Sequence, residues 1–179
     1  MLDGESLVAR ARRQTQRKET GVKGARILVV EARYYDDVAD MLLRGAKRVL
    51  KDAGASHDLV TVPGALEIPA AIMIGLHAAA AREQPYDGVV ALGCVIRGET
   101  SHYDIVAGES ARAIMDISIA LDMPMGNGIL TVDTDAQAKA RARPTGEDKG
   151  GGAVRAALTL VRLKRDLARS LKRKSKAGR

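Results

Sequence analysis

The chain has no phenylalanine and no tryptophan, and only four tyrosines in 179 residues. A basic surface studded with stacking rings for single-stranded nucleic acid is therefore excluded as a leading reading. One cysteine, Cys94, rules out an intramolecular disulfide framework and any Cys₄ or Cys₂His₂ zinc site within one chain. The three histidines, His57, His77 and His102, lie far apart and show no H-E-x-x-H spacing. No apolar run approaches the length needed to span a membrane. The first residues lack an apolar segment behind their charges, unlike a secretory signal. The expectation is a soluble, reduced, cytoplasmic protein.

What is present is globular in composition. Apolar residues make up 46% and charged residues 28%, enough for one domain with a real core. The net charge of +7 is unevenly spread. Residues 1–26 carry seven Lys/Arg against three acids, and residues 164–179 carry eight against one. Residues 27–163 carry fourteen against eighteen, so the central part is mildly acidic. The basic excess belongs to the ends, which read as solvated tails, with no specific nucleic-acid partner.

The pattern along the chain alternates strands and helices. Residues 1–25 lack periodicity and read as a flexible arm. Arg26–Glu31 is a continuous apolar run suited to a parallel strand buried on both faces. Asp36 or Asp37 is placed to cap the next segment. There Val38, Met41, Leu42, Gly45, Ala46, Val49 and Leu50 form a helical stripe, ended by Gly54. His57–Val62 reads as a second strand and Glu67–Arg82 as a helix, with Pro69 tolerated only in its first turn. Gly88–Ile96 is a third strand, Ser101–Leu121 a helix, and Gly128–Val132 a fourth strand. Thr134 or Asp135 caps a short helix to about Arg143, and a last helix runs from about Lys149 to about Leu167. Such alternation predicts a three-layer αβα sandwich around a four-stranded parallel sheet. The last helix carries two apolar stripes, Val154/Ala157/Leu158/Val161 and Ala156/Leu160/Leu163/Leu167. They form one wide buried face or one core face and one subunit face.

In such sheets ligands bind beyond the carboxyl ends of the strands. Four segments occupy those ends: 32–35, 62–67, 97–102 and 131–133. In the third, Gly98 permits close backbone approach, and Thr100 and Ser101 are N-cap types. The start of the helix that follows is an anion site, and His102 in its first turn is a candidate acid/base. Glu67 is either a carboxylate complementing a helix dipole or an acceptor for substrate hydroxyls. Tyr34 and Tyr35 either floor a pocket or pack at a boundary. Cys94, inside an apolar strand, reads as a buried, inert thiol.

The stretches Val62-Pro-Gly-Ala-Leu-Glu-Ile-Pro69 and Leu92-Gly-Cys-Val-Ile-Arg-Gly-Glu-Thr-Ser-His-Tyr-Asp-Ile-Val106 resemble the two signature stretches of the 6,7-dimethyl-8-ribityllumazine synthase family. Gly128-Ile-Leu-Thr-Val-Asp133, then Gln137-Ala138, Arg141, Lys149-Gly150 and Ala153, resemble its C-terminal pattern. The likeness covers residues 26–163, which leaves an arm over 1–25 and a basic helix end and tail over 164–179. It implies a flavodoxin-like fold and a condensation of 5-amino-6-ribitylaminouracil with 3,4-dihydroxy-2-butanone 4-phosphate. The family needs no cofactor and no metal. It works as pentamers with active sites between subunits, and some members close twelve pentamers into a shell. By the same resemblance His102 transfers protons, and Gly98, Glu99 and Thr100 offer N–H groups to the phosphate. Arg141 binds that phosphate from the neighbouring subunit. Ala65, Leu66 and Glu67 line the ribityl and pyrimidine site, Val95 and Ile96 border the pyrimidine, and Lys149 hydrogen-bonds it. Tyr34 stands where the family usually has a stacking Phe. Leu66 and Asn127 replace residues that are aromatic in many members, and Gly152 replaces an acid that could assist the histidine. The stretch Arg143-Pro-Thr-Gly-Glu-Asp148 departs from the turn that shell-forming relatives often carry. A pentamer, or two pentamers face to face, is the expectation.

Overall fold

The computed structural model describes residues 21–177, with side chains through Leu171. Its elements run β1 Arg26–Ala32, α1 Asp36–Ala53, β2 Ser56–Val62, a 3₁₀ turn Ala65–Glu67, α2 Ile68–Ala81, β3 Gly88–Ile96, α3 His102–Ala120, β4 Met125–Val132, α4 Asp135–Ala142 and α5 Lys149–Ala177. The sheet is parallel throughout, in the order β2-β1-β3-β4. The αβα architecture expected from the alternation is the one observed. Among the described residues no helix is long and apolar enough to cross a membrane.

The two cores explain the layering. On one face Ile27, Val29, Val90, Leu92, Leu130 and Val132 meet the buried sides of α1, α4 and α5. On the other, Leu28, Val30, Val89 and Ala91 meet Ile68, Ile72 and Leu76 of α2 and Ile114 of α3. The central strands β1 and β3 are apolar on both faces because helices cover both. The α1 stripe is buried as its spacing predicts, and Gly54 ends that helix at φ +65, the left-handed conformation glycine tolerates best.

Several boundaries differ from the sequence reading. Neither Asp36 nor Asp37 caps α1: Tyr35 holds the cap position without a side-chain bond, and Asp37 Oδ1 accepts from the adjacent Val38 N–H. β4 starts at Met125, three residues early, because Met125 and Gly126 pair with Val89 and Val90; the local glycines concealed that pairing. Packing also begins before residue 26. Val22 and Ala25 are fully buried, and Gly24 N–H donates to Gly54 O at 2.9 Å. The rest of the expected arm, residues 1–20, lies outside the described residues.

α5 is the largest departure. It continues to Ala177, some ten residues past the predicted end, and so takes in most of the basic tail. Its first stripe, Val154, Ala157, Leu158 and Val161, is buried, whereas Ala156, Leu160, Leu163, Leu167 and also Leu171 are exposed. The second stripe lies roughly a third of a turn away from the first, so these are two faces and not one wide face. Lys164 Nζ donates to Asp122 O at 2.8 Å, and Arg165 Nη2 pairs with Asp87 at 3.2 Å. Beyond them, residues 166–171 are exposed on every side.

Close approach at glycines ties α5 to its neighbours. A Cβ on Gly126 would overlap the Ala153 carbonyl oxygen, and one on Gly150 would overlap the Leu42 carbonyl. A Cβ on Gly108 in α3 would meet nothing within 4 Å. Gly126→Ala should therefore cost about 3 kcal/mol, the upper end for overpacking. Gly108→Ala should instead be neutral or stabilising, since it removes backbone entropy from the unfolded chain. Urea denaturation of both variants checks the contrast.

Candidate active site

The carboxyl ends of β1, β2 and β3 carry the first group of residues singled out from sequence. Tyr34 follows β1 and is 74% exposed, its ring edge-on to Tyr35 with centroids 5.0 Å apart. Beneath it Arg33 is held by Glu31 at 2.8 Å, Asp40 at 2.7 Å and Asp36 at 3.3 Å. The bonds to Asp40 and Glu31 raise the guanidinium pKa above its usual value. After β2, Pro63 and Gly64 lead into the 3₁₀ turn, where Ala65 is buried while Leu66 and Glu67 are exposed. Glu67 was expected inside a helix; it stands just before α2, which begins at Ile68 with Pro69 in its first turn. Pro69 can supply no N–H, which suits a helix start and nothing later. Among the described residues the Glu67 carboxylate has no hydrogen-bond partner.

Between β3 and α3, Gly98, Glu99 and Thr100 are exposed, and among the described residues no backbone carbonyl takes their N–H groups. Ser101 holds the N-cap position of α3 without a side-chain cap bond. Thr100 Oγ1 accepts instead from His102 N–H, at a long 3.4 Å. The expected side-chain cap at Ser101 is thus missing, and the N–H groups of the loop stay open at the start of a helix. His102 opens the helix and is exposed. Val95 and Ile96, half-buried at the end of β3, pair with Thr131 and Val132.

The second group lies at the outer edge of the sheet. Asn127, Gly128, Thr131, Arg141, Lys149 and Gly152 line a groove of about 320 Å³ between β4, α4 and the start of α5. Arg141 Nη1 donates to Gln137 O at 3.1 Å, and Lys149 Nζ meets Glu147 at 3.2 Å. Asn127 Oδ1 accepts from Ile129 N–H at 2.9 Å. A Cβ on Gly152 would meet nothing within 4 Å, so the groove is open there. The groove includes none of Tyr34, Glu67, Gly98 or His102. The expected residues thus fall into two sets in one chain, His102 with the Gly98–Thr100 loop, and Arg141 with Lys149 in the groove.

Three residues in and around these sets escaped the sequence reading. Arg97 bridges Asp104 of α3 and Asp133 after β4, at 3.3 Å each, and lies 3.9 Å over the Tyr103 ring. Asp104, and then Asp133, raise its pKa. It ties the start of the β3–α3 loop to α3 and to the end of β4; its only sequence signal is a basic residue at the end of an apolar strand. Glu31 is 2% exposed, accepts from Arg33 and Thr61, and leaves Oε2 unpaired among the described residues. A charge inside an apolar run was the available clue. Asp148, buried at the start of α5, had none beyond the three glycines after Lys149.

Residues 24–165 match the model of the 6,7-dimethyl-8-ribityllumazine synthase family. Among curated relatives, the 6,7-dimethyl-8-ribityllumazine synthase 1 of Rhodopseudomonas palustris is 58% identical over 91% of this chain and 100% of its own length. The 6,7-dimethyl-8-ribityllumazine synthase of Nitrobacter hamburgensis is 60% identical over the same shares. That of Methylorubrum extorquens strain PA1 is 63% identical over 79% of this chain and 82% of its own. Fold and strand-end site define an α/β enzyme of the flavodoxin-like class. Within that class, the chain belongs to the 6,7-dimethyl-8-ribityllumazine synthase family.

Cys94 lies in the second signature stretch and is buried against the α1–α5 side of the sheet. Burial first, then the carboxylates of Asp135 and Asp37, push its thiol up to about 12. At pH 8 only about one molecule in 10⁴ carries the reactive thiolate. Labelling by a thiol-exchange reagent at pH 8 should be very slow in the native protein and fast in urea. Rapid native labelling would place Cys94 in an open, electropositive setting instead.

Proposed function

We propose that this chain carries out the condensation of its family and divides the chemistry between two copies of itself. The reaction condenses 5-amino-6-ribitylaminouracil with 3,4-dihydroxy-2-butanone 4-phosphate, giving 6,7-dimethyl-8-ribityllumazine, phosphate and two molecules of water. The substrate amine attacks the ketone and loses water to form an imine. Phosphate then leaves by elimination, the resulting enol tautomerises to a ketone, and the second nitrogen closes the ring on that carbonyl with loss of a second water. These steps need one acid/base, one anion site and a slot that holds both reactants. His102 moves the protons. Gly98, Glu99 and Thr100 grip the phosphate through backbone N–H groups at the start of α3, where the helix dipole favours negative charge. Tyr34 stacks on the pyrimidine, with Ala65, Leu66, Val95 and Ile96 as walls, and Glu67 accepts from ribityl hydroxyls.

Arg141, Lys149 and Asn127 complete the site from the neighbouring subunit. The observation that carries this reading is the separation of the groove from the anion loop within one chain. Exposed apolar side chains on α2 (Ile74) and α3 (Ile105, Met115, Ile119) supply faces for such a neighbour. We take the assembly to be a cytoplasmic pentamer, alone or as two pentamers face to face. Gly152, where an acid would flank the histidine, lowers proton-transfer efficiency without removing the reaction, since positioning supplies much of the rate.

Mixing the two substrates with the full chain should produce the lumazine chromophore. His102→Ala should slow that formation by about 10²–10⁴-fold while ribitylaminouracil still binds; an unchanged rate would reject the role of His102. Equimolar mixing of inactive His102→Ala and Arg141→Ala chains, after dissociation and reassembly, should restore part of the activity. No recovery would mean that each site is complete within one subunit.

A further inference from the structure

Asp148 sits between α4 and α5 at φ +52 and is 6% exposed. Few residues accept left-handed backbone, and Asp and Asn are the least strained after glycine. Its carboxylate gathers three elements. Oδ2 accepts from Arg48 of α1 at 2.8 Å and from Arg155 of α5 at 3.0 Å. Oδ1 accepts from the Gly151 N–H at 3.3 Å, and the Asp148 carbonyl accepts from Gly152 N–H at 2.8 Å. Its own N–H donates to Arg143 O at 3.2 Å, just past the end of α4. Arg48 also reaches Pro144 O at 3.2 Å. The carboxylate fits only because Gly45 of α1 and Gly151 of α5 lack side chains, since a Cβ on either would overlap it.

Lys149 is the next residue, and Arg141 precedes the same turn on α4. Both line the groove. The side chain of Asp148 points away from that groove, into the α1–α5 contact. We propose that Asp148 is a positioning residue for the groove half of the active site: it fixes the turn from which Lys149 and Arg141 present their cations. It also occupies Arg48 and Arg155, which would otherwise be unpaired cations close to an anion-binding groove. The inference rests on the two-copy reading above and adds a residue that touches no substrate.

The test uses the full chain with Asp148→Ala and Asp148→Asn. Asn keeps the left-handed backbone and an acceptor for Gly151 N–H but loses the charge that holds the two arginines. In Asp148→Ala, KM for both substrates should rise about tenfold while kcat stays within about threefold, since His102 lies in the other set. Asp148→Asn should fall between Asp148→Ala and the unaltered protein. Amide exchange at Gly150–Ala153 should quicken about tenfold in Asp148→Ala with β1 and β3 unchanged. A fall in kcat at unchanged KM, or exchange that quickens uniformly, would reduce Asp148 to a general structural role and overturn the proposal. If Asp148→Ala does not fold, the KM and exchange of Asp148→Asn decide the matter alone. An unaltered chain that forms no lumazine would reject the reaction, and the exchange at Gly150–Ala153 would still judge whether Asp148 holds this turn.

Discussion

The start of α5 lies closer to the sheet and to α1 than ordinary side chains allow. Gly126 sits under the Ala153 carbonyl, Gly128 under Ala153 Cβ and Gly150 against the Leu42 carbonyl. Interiors are packed so densely that one added methyl at such a point displaces backbone. The outer strand β4 thereby gains a helix directly on its face, and the start of that helix fixes where Lys149 stands. Asp148 seals the same junction with the only buried carboxylate on that side of α1 among the described residues. Glycine makes the approach sterically feasible, and the shared carboxylate makes it directional. Neither would hold the groove without the other: glycines alone leave the turn loose, and a carboxylate alone has no room.

Sheet topology explains why the functional residues fall into two sets. The order β2-β1-β3-β4 puts β4 at an edge, with α4 and the start of α5 beside it. Cations carried on that edge face outward. His102 and the Gly98–Thr100 loop sit at the end of an inner strand, where β3 hands over to α3.

Most of the architecture was legible because the signals were periodic and local. The α1 stripe, the apolar runs of β1 and β3, and Gly54 each fixed one element by chemistry visible within a few residues. The errors share a different cause. The early start of β4 depends on pairing with β3 across Met125 and Gly126, and glycine carries no pattern to reveal it. The persistence of α5 to Ala177 was hidden because basic residues replace the core stripe after Val161 while the leucine stripe continues. Site residues embedded in motifs, such as His102 and Gly98, could be named from the chain. Arg97, Glu31 and Asp148 could not be assigned roles, because each acts through partners 30 to 100 positions away or on a separate element.

The course of α5 bears on how charge is spread in the assembly. Core contact ends at Val161, and Lys164 and Arg165 make the last bonds to the domain. The helix then continues with Leu167 and Leu171 exposed. An exposed Leu stripe at this spacing is a narrow seam, of the width one helix offers another. The net charge of +7 over residues 164–179 (eight Lys/Arg against one acid) works against pairing two such seams side by side, because charges closer than about 8 Å are poorly screened at physiological salt. The central part of the chain is mildly acidic, so charge alone draws a basic helix end toward acidic surface and away from another basic end.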